Sequence, residues 1–146
     1  MATVIKSISD LTKIIESRIQ QALKMTQQEI FEVVQHHITD YYHEYSPRMY
    51  QRTWEFLNSL IKTEIVKSSN GVSCSVEIDK DYLSYRYQGG ATGLNVVTYA
   101  NQHSHGGVYD DDFGQFWDDA MAELGLEPGI KYLMKSNLKK CGVPVK

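Results

Sequence analysis

The sequence predicts an α+β fold: a long N-terminal helix, a small antiparallel sheet and two C-terminal helices, in a single domain over residues 1–146. Three observations predict it. All ten glycines fall at or after Gly71 and the first proline is Pro47, so nothing breaks the backbone of residues 1–46. Two alternating runs flank Ser68-Ser69-Asn70-Gly71, the chemistry of a tight hairpin turn. Beyond Asp110, apolar residues return at helical spacing in two blocks separated by Gly125, a natural helix stop.

The first helix is expected over about 8–43. Apolar or semi-polar residues recur at Ile8, Leu11, Ile15, Ile19, Leu23, Ile30, Val33, Val34, Ile38 and Tyr41, a 3.6-residue stripe interrupted at Thr26 and Gln27. Ser7 or Ser9 caps its start. At 1.5 Å per residue such a helix is about 54 Å long, so it either kinks or projects beyond the core. After Pro47, Trp54, Phe56, Leu57 and Leu60 form a short helical turn or a strand entry.

A hairpin is expected over about 60–78. In its second run Val72, Cys74, Val76 and Ile78 share one face, and Ser73, Ser75 and Glu77 the other. Tyr82, Tyr85 and Tyr87 are placed to start a third strand. Residues 88–109 read as a long flexible loop, with glycines at 89, 90, 93, 106 and 107 around the short apolar run Leu94 to Tyr99. Phe113, Phe116, Trp117, Met121 and Leu124 predict a helix over about 111–124. Ile130, Leu133, Met134 and Leu138 predict another over about 128–140, opened by Pro128.

Composition bounds the function. The chain of 146 residues is 42% hydrophobic, enough for a real core, and its net charge of −3 gives no basic field to hold nucleic acid. No apolar run approaches the eighteen residues of a membrane span, and Met1-Ala2-Thr3-Val4-Ile5-Lys6 lacks the layout of a signal peptide. Cys74 and Cys141, far apart and without a CxxC motif, read as reduced thiols.

Chemistry-bearing patterns are sparse. His103-Ser104-His105, close to Asp110, Asp111 and Asp112, is the one cluster whose imidazoles and carboxylates match a zinc or manganese site, and with it a small metal-dependent hydrolase or nuclease. Its plainer reading is a polar loop tip followed by acids at a helix start, where the dipole favours them. His36 and His37 diverge by about 100° on a helix and cannot chelate one ion together. Gln88-Gly89-Gly90-Ala91-Thr92-Gly93 lacks the lysine of a phosphate loop. No catalytic residue, metal or cofactor is expected.

Charge segregates near the C-terminus. Asp110, Asp111, Asp112, Asp118, Asp119, Glu123 and Glu127 precede Lys131, Lys135, Lys139, Lys140 and Lys146, with no opposite charge within either block. Two readings stand: pairing between neighbouring helices of one chain, or a head-to-tail contact in which the acids of one copy meet the lysines of the next. The aromatic cluster Tyr41, Tyr42, Tyr45, Tyr50, Trp54 and Phe56 serves either a core or a contact surface.

One stretch carries a resemblance. Tyr45-x-Pro47-x-x-Tyr50-x-Arg52-Thr53 leads into Trp54, Leu57, Ser59 and Leu60 and then the hairpin; Phe113, Phe116 and Trp117 are followed by a lysine-rich helix and Gly142-x-Pro144. This pattern resembles the tail-completion or head–tail joining proteins of long-tailed phages and prophages. Many members of that family carry glycine where this chain has Trp54. The resemblance implies a long helix packed on an antiparallel sheet and a structural place in the virion neck, between capsid connector and tail tube. It also implies a ring of six copies, contacts with neighbouring neck and tail-tube proteins, and synthesis in the bacterial host cytoplasm. It carries over no catalytic residue, no membrane contact and no nucleic acid beyond passing DNA. The interface candidates are Tyr45, Pro47, Tyr50, Arg52, Thr53, Trp54 and Leu57, with Asp118, Asp119, Lys135 and Lys139 from the charged blocks.

Overall fold

Helix α1 (Ile8–Glu44) is the axis on which the core is built. A computed structural model of the chain describes residues 7–44, 46, 54–83, 93–105 and 108–146. With no glycine or proline to interrupt it, α1 runs for 37 residues, about 55 Å at 1.5 Å per residue. Of the two candidate caps it is Ser7 that acts: its Oγ accepts the N–H of Asp10 at 3.1 Å. The helix turns Val34, Ile38 and Tyr42 into the core, where Phe56, Leu60, Leu83, Ala100, Phe116 and Ala120 meet them. Its first two turns lie outside this core, with Ile8, Leu11 and Ile15 exposed.

After α1 come α2 (Glu55–Asn58), β1 (Leu60–Lys62), β2 (Val66–Ser68), β3 (Gly71–Ser73) and β4 (Val76–Ile78). The expected hairpin forms, but as two ladders. β1 pairs antiparallel with β4, Leu60 opposite Ile78, while β2 pairs with β3, Val66 opposite Ser73. Residues 63–65 on one side face only 74–75 on the other, so one extra residue bulges the first strand. Because side chains alternate, that residue flips the faces of β2: Lys67, not Val66, lies opposite Val72, and Val66 is left exposed. Thr63 closes the bulge, its N–H donating to Ser75 O at 3.0 Å and its Oγ1 accepting Ser75 N–H at 2.8 Å. The turn sits one position earlier than its Asn-Gly signature indicates. Ser69 and Asn70 are its centre, and only Gly71 carries a positive φ there.

Two expectations give way here. Tyr82 lies not in a strand but in a turn, where Asp79 Oδ1 accepts the N–H groups of Asp81 and Tyr82; Tyr85 and Tyr87 lie outside the described residues. Within 88–109, read as a loop, helix α3 (Gly93–Ala100) forms, followed by the antiparallel pair β5 (Ser104–His105) and β6 (Val108–Tyr109). The apolar run supplies the reason, since Val96, Val97 and Ala100 pack on the core.

Helix α4 (Phe116–Glu123) starts later than its pattern predicts, and α5 (Leu126–Lys140) starts slightly earlier. Asp110, Asp111 and Asp112 thus precede the helix in a turn, with Asp110 Oδ1 accepting Asp112 N–H. Between the helices the chain turns through Gly125 and Leu126, both left-handed, with φ of 74° and 57°. α5 then lies along α1. The expected packing of α1 on the sheet is there at β1 and β4, and the same helix also carries α4 and α5.

Candidate functional site

Of the residues that read as chemistry, His105 alone reaches the C-terminal end of α1 among the described contacts. Tyr41 and Glu44 lie one turn apart on α1, and β5 brings His105 against both. The His105 ring is buried and stacks on Tyr41 with centroids 3.7 Å apart, while Phe113 meets it edge-on at 4.5 Å. Its Nε2 lies 3.4 Å from Glu44 Oε2. The two oxygens of Glu44 also accept the N–H of Gly114, at 3.0 and 3.1 Å. Tyr41 donates its hydroxyl to Ser104 O at 2.8 Å. The result is a clamp that fixes Ser104, His105 and Gly114 on the end of α1.

His103 points elsewhere. A carbonyl only accepts, so its Nδ1 carries the proton that goes to Phe113 O. His103 itself is left-handed, with φ of 55°. The two imidazoles are thus spent on separate protein contacts. Tyr109 donates to Asp111, and that hydrogen bond, with the carboxylate's charge, pushes the phenol above its ordinary range. Among the described residues no group of three or more His, Cys, Asp or Glu side chains is placed to hold a metal ion. His36 pairs with Asp40 on the exposed face, and His37 reaches Glu123 on α4 at 2.7 Å. Burial pushes the Cys74 thiol up. Among the described residues no helix is long and apolar enough to cross a membrane.

Of the interface candidates, Tyr45, Pro47, Tyr50, Arg52 and Thr53 lie outside the described residues. Trp54 adopts φ 62° and ψ 11°, a left-handed conformation that glycine takes without penalty. Its ring lies against Tyr42, 4.6 Å between centroids. Leu57 is half-buried against the core. Asp119 accepts the N–H of Gln115 at 2.9 Å, ahead of α4. Asp118 is exposed and gives only its N–H, to Asn101 Oδ1 at 3.2 Å, beside that of Trp117 at 3.0 Å. Lys131 pairs within α5 with Glu127 at 2.6 Å. Lys135 and Lys139 form no ion pair among the described residues, and no bridge joins the α4 acids to the α5 lysines.

Other polar residues hold the fold together. Gln27, nearly buried on α1, donates Nε2 to Thr63 O at 2.9 Å and Ser75 O at 2.7 Å, the two carbonyls at the bulge. Thr26 and Asn137, both buried, join α1 to α5: Asn137 Nδ2 donates to Thr26 Oγ1 at 3.1 Å and to Glu29 at 3.2 Å, and Lys140 donates to Asn137 Oδ1. Thr26 and Gln27 are the residues that interrupt the apolar stripe, which was the available signal.

Residues 7–140 match the protein family described as YomN. The chain belongs to the YomN family. That family is associated with phages and prophages. No curated protein matches the chain, and no solved structure does.

Proposed function

We propose that the chain is a structural part of a phage or prophage particle, a head–tail connector or tail-completion protein that assembles as a ring at the neck. The observation that carries the reading is the match of nearly the whole chain to a phage-associated family. The pattern from Tyr45 to Thr53 supports the finer placement through its resemblance to tail-completion proteins. The outward side of α5 supports self-association, since Tyr132 is exposed beside Lys135 and Lys139. In this reading the chain catalyses nothing and needs no metal or cofactor. Its partners are further copies, six to a ring, and the neighbouring neck and tail-tube proteins. It is made in the host cytoplasm and ends in the virion, with no membrane contact and DNA only passing through.

Electron microscopy of the protein, alone and mixed with tail tubes, tests the placement. Rings seated on tube ends are expected; a protein that stays dispersed beside intact tubes sinks it. Calorimetric titration with zinc and manganese is expected to show no tight site. Sub-micromolar binding lost in both His103→Ala and His105→Ala favours the metal-dependent enzyme instead.

A further inference from the structure

We infer that Asn70, at the centre of the hairpin turn, is a site of spontaneous covalent change. Its amide is lost through a cyclic imide, and the isoaspartate that follows unpairs the tip of the hairpin. The inference stands apart from the neck reading and draws on a different part of the molecule.

The reaction is intramolecular. The backbone nitrogen of Gly71 gives its proton to hydroxide and attacks the side-chain carbonyl carbon of Asn70. A carbon–nitrogen bond forms, the bond to the amide nitrogen breaks, and that nitrogen takes a proton from water and leaves as ammonia. Water then opens the imide at either carbonyl. One opening gives aspartate. The other gives isoaspartate, in which the main chain runs through the side-chain carbon. Water is the only co-reactant, and no oxidant or enzyme enters.

The turn supplies what this step needs. Ser68, Ser69, Asn70 and Gly71 are all exposed, so water and hydroxide reach both reacting groups. The attacking nitrogen belongs to glycine, and even an added Cβ there would meet nothing within 4 Å, so neither a side chain nor a neighbour crowds the approach. Ser69 Oγ donates to Asn70 Oδ1 at 3.4 Å. That hydrogen bond polarises the carbonyl under attack and stabilises the charge that builds on its oxygen. Gly71 sits in the last pair of a three-pair ladder that joins no third strand. Freeing its N–H takes only the opening of the ladder's end, a local event in a marginal two-stranded ribbon.

The other four asparagines lack this combination, each being followed by a residue with a side chain: Asn58 by Ser59, Asn95 by Val96, Asn101 by Gln102 and Asn137 by Leu138. Asn137 is buried, and Asn101 Oδ1 already accepts the N–H groups of Trp117 and Asp118. Asn58 and Asn95 lie within α2 and α3. The consequence at Asn70 is confined by the bulge. Isoaspartate lengthens the main chain of a turn that has only two residues at its centre, and it adds a negative charge. The β2–β3 register fixed by that turn is lost. Gln27, Thr63 and Ser75 hold the hairpin below it and are untouched.

The test keeps the full chain in warm, mildly alkaline buffer made with water enriched in heavy oxygen. Samples taken over days are digested with trypsin, which releases the segment after Lys67 through Lys80 for mass spectrometry. Expected at Asn70 are loss of ammonia, uptake of heavy oxygen and two separable products, isoaspartate in excess of aspartate. The other asparagines should keep their amides. Asn70→Gln should stop the reaction on this timescale. Ser69→Ala should slow it about two-fold, the low end of a hydrogen bond's worth, with unchanged circular dichroism. In the aged protein, hydrogen exchange should speed up across β2 and β3 and stay as it was at Ser75. An Asn70 that keeps its amide in the folded chain while it converts in urea overturns the inference. So does faster loss at another asparagine, or aspartate formed without isoaspartate, which means direct hydrolysis. A Ser69→Ala rate equal to the parent's overturns the part given to the hydroxyl, and isoaspartate with unaltered exchange in β2 and β3 overturns the unpairing.

Discussion

Gln27→Met isolates the joint between α1 and the bulged hairpin. Methionine keeps the length of the stem and the helix propensity and removes only the amide. Two hydrogen bonds go, to Thr63 O and Ser75 O. The Ser75 carbonyl keeps the N–H of Thr63, so its loss is that of one ordinary hydrogen bond, about 0.5–1.5 kcal/mol. The Thr63 carbonyl has no other partner among the described residues, and orphaning it costs about 1–3 kcal/mol. Together the substitution should destabilise the fold by about 1.5–4.5 kcal/mol. For a chain of this size that lowers Tm by about 5–15 °C. Urea unfolding followed by circular dichroism reads the change as a lower midpoint at constant slope. Gln35→Met, on the exposed side of the same helix, is the control and should stay within about 0.5 kcal/mol of the parent. In hydrogen exchange the Ser75 amide, held by Thr63 Oγ1, should lose protection. A midpoint for Gln27→Met no lower than that of Gln35→Met would mean that the amide does not hold the hairpin.

Gly129→Ala should destabilise by more than about 2 kcal/mol, the scale of overpacking, because its Cβ would stand 1.8 Å from Leu124 O; a neutral result by thermal melting would refute the tight corner between α4 and α5. Asn137→Leu alone should cost about 1–3 kcal/mol by leaving Thr26 Oγ1 and Glu29 without its amide, and adding Thr26→Val should recover part of that loss. A double-mutant cycle with no coupling would break the proposed link. Cys74, its thiol pushed up by burial, should react with iodoacetamide along a pH profile whose inflection lies above the ordinary thiol value of 9.0. The sign follows from the neutral form being favoured in the fold. Its contribution to stability is full below the unfolded thiol's pKa and is lost as pH rises through the folded one. An inflection at or below the ordinary value refutes it.

What was legible in the sequence was what is local. Helix α1 and the hairpin follow from unbroken periodicity and from the turn at 68–71, signals contained within a few residues. Helix α3 was not legible, because Val96, Val97 and Thr98 favour strand and the glycines around them favour loop. Burial of Ala100 against the core overrides both. The bulge was invisible for a different reason. A single extra residue between two good alternating runs leaves each run's pattern intact and changes only their register. The two histidines at 103 and 105 stand out in the sequence as a pair, but their partners, Glu44, Tyr41 and Phe113, come from other parts of the chain, and only the fold says that the rings part. Thr26 and Gln27 show in the sequence as a fault in the stripe. That the helix binds two different neighbours at this fault depends on what lies opposite, the bulge and α5.

The buried amide of Asn137 also limits how the chain can go wrong. Two helices joined by a purely apolar seam can slide past each other by a turn at little cost. Here a slide of one turn would pull Asn137 away from Thr26 and Glu29 together, and each orphaned group would count against the slipped arrangement. Only one alignment of α5 on α1 satisfies them all. The same polar lock would make an incoming α5 from another copy settle in that one alignment or not at all. A protein built from this seam holds Tyr132 and the lysines of α5 at a fixed height along α1.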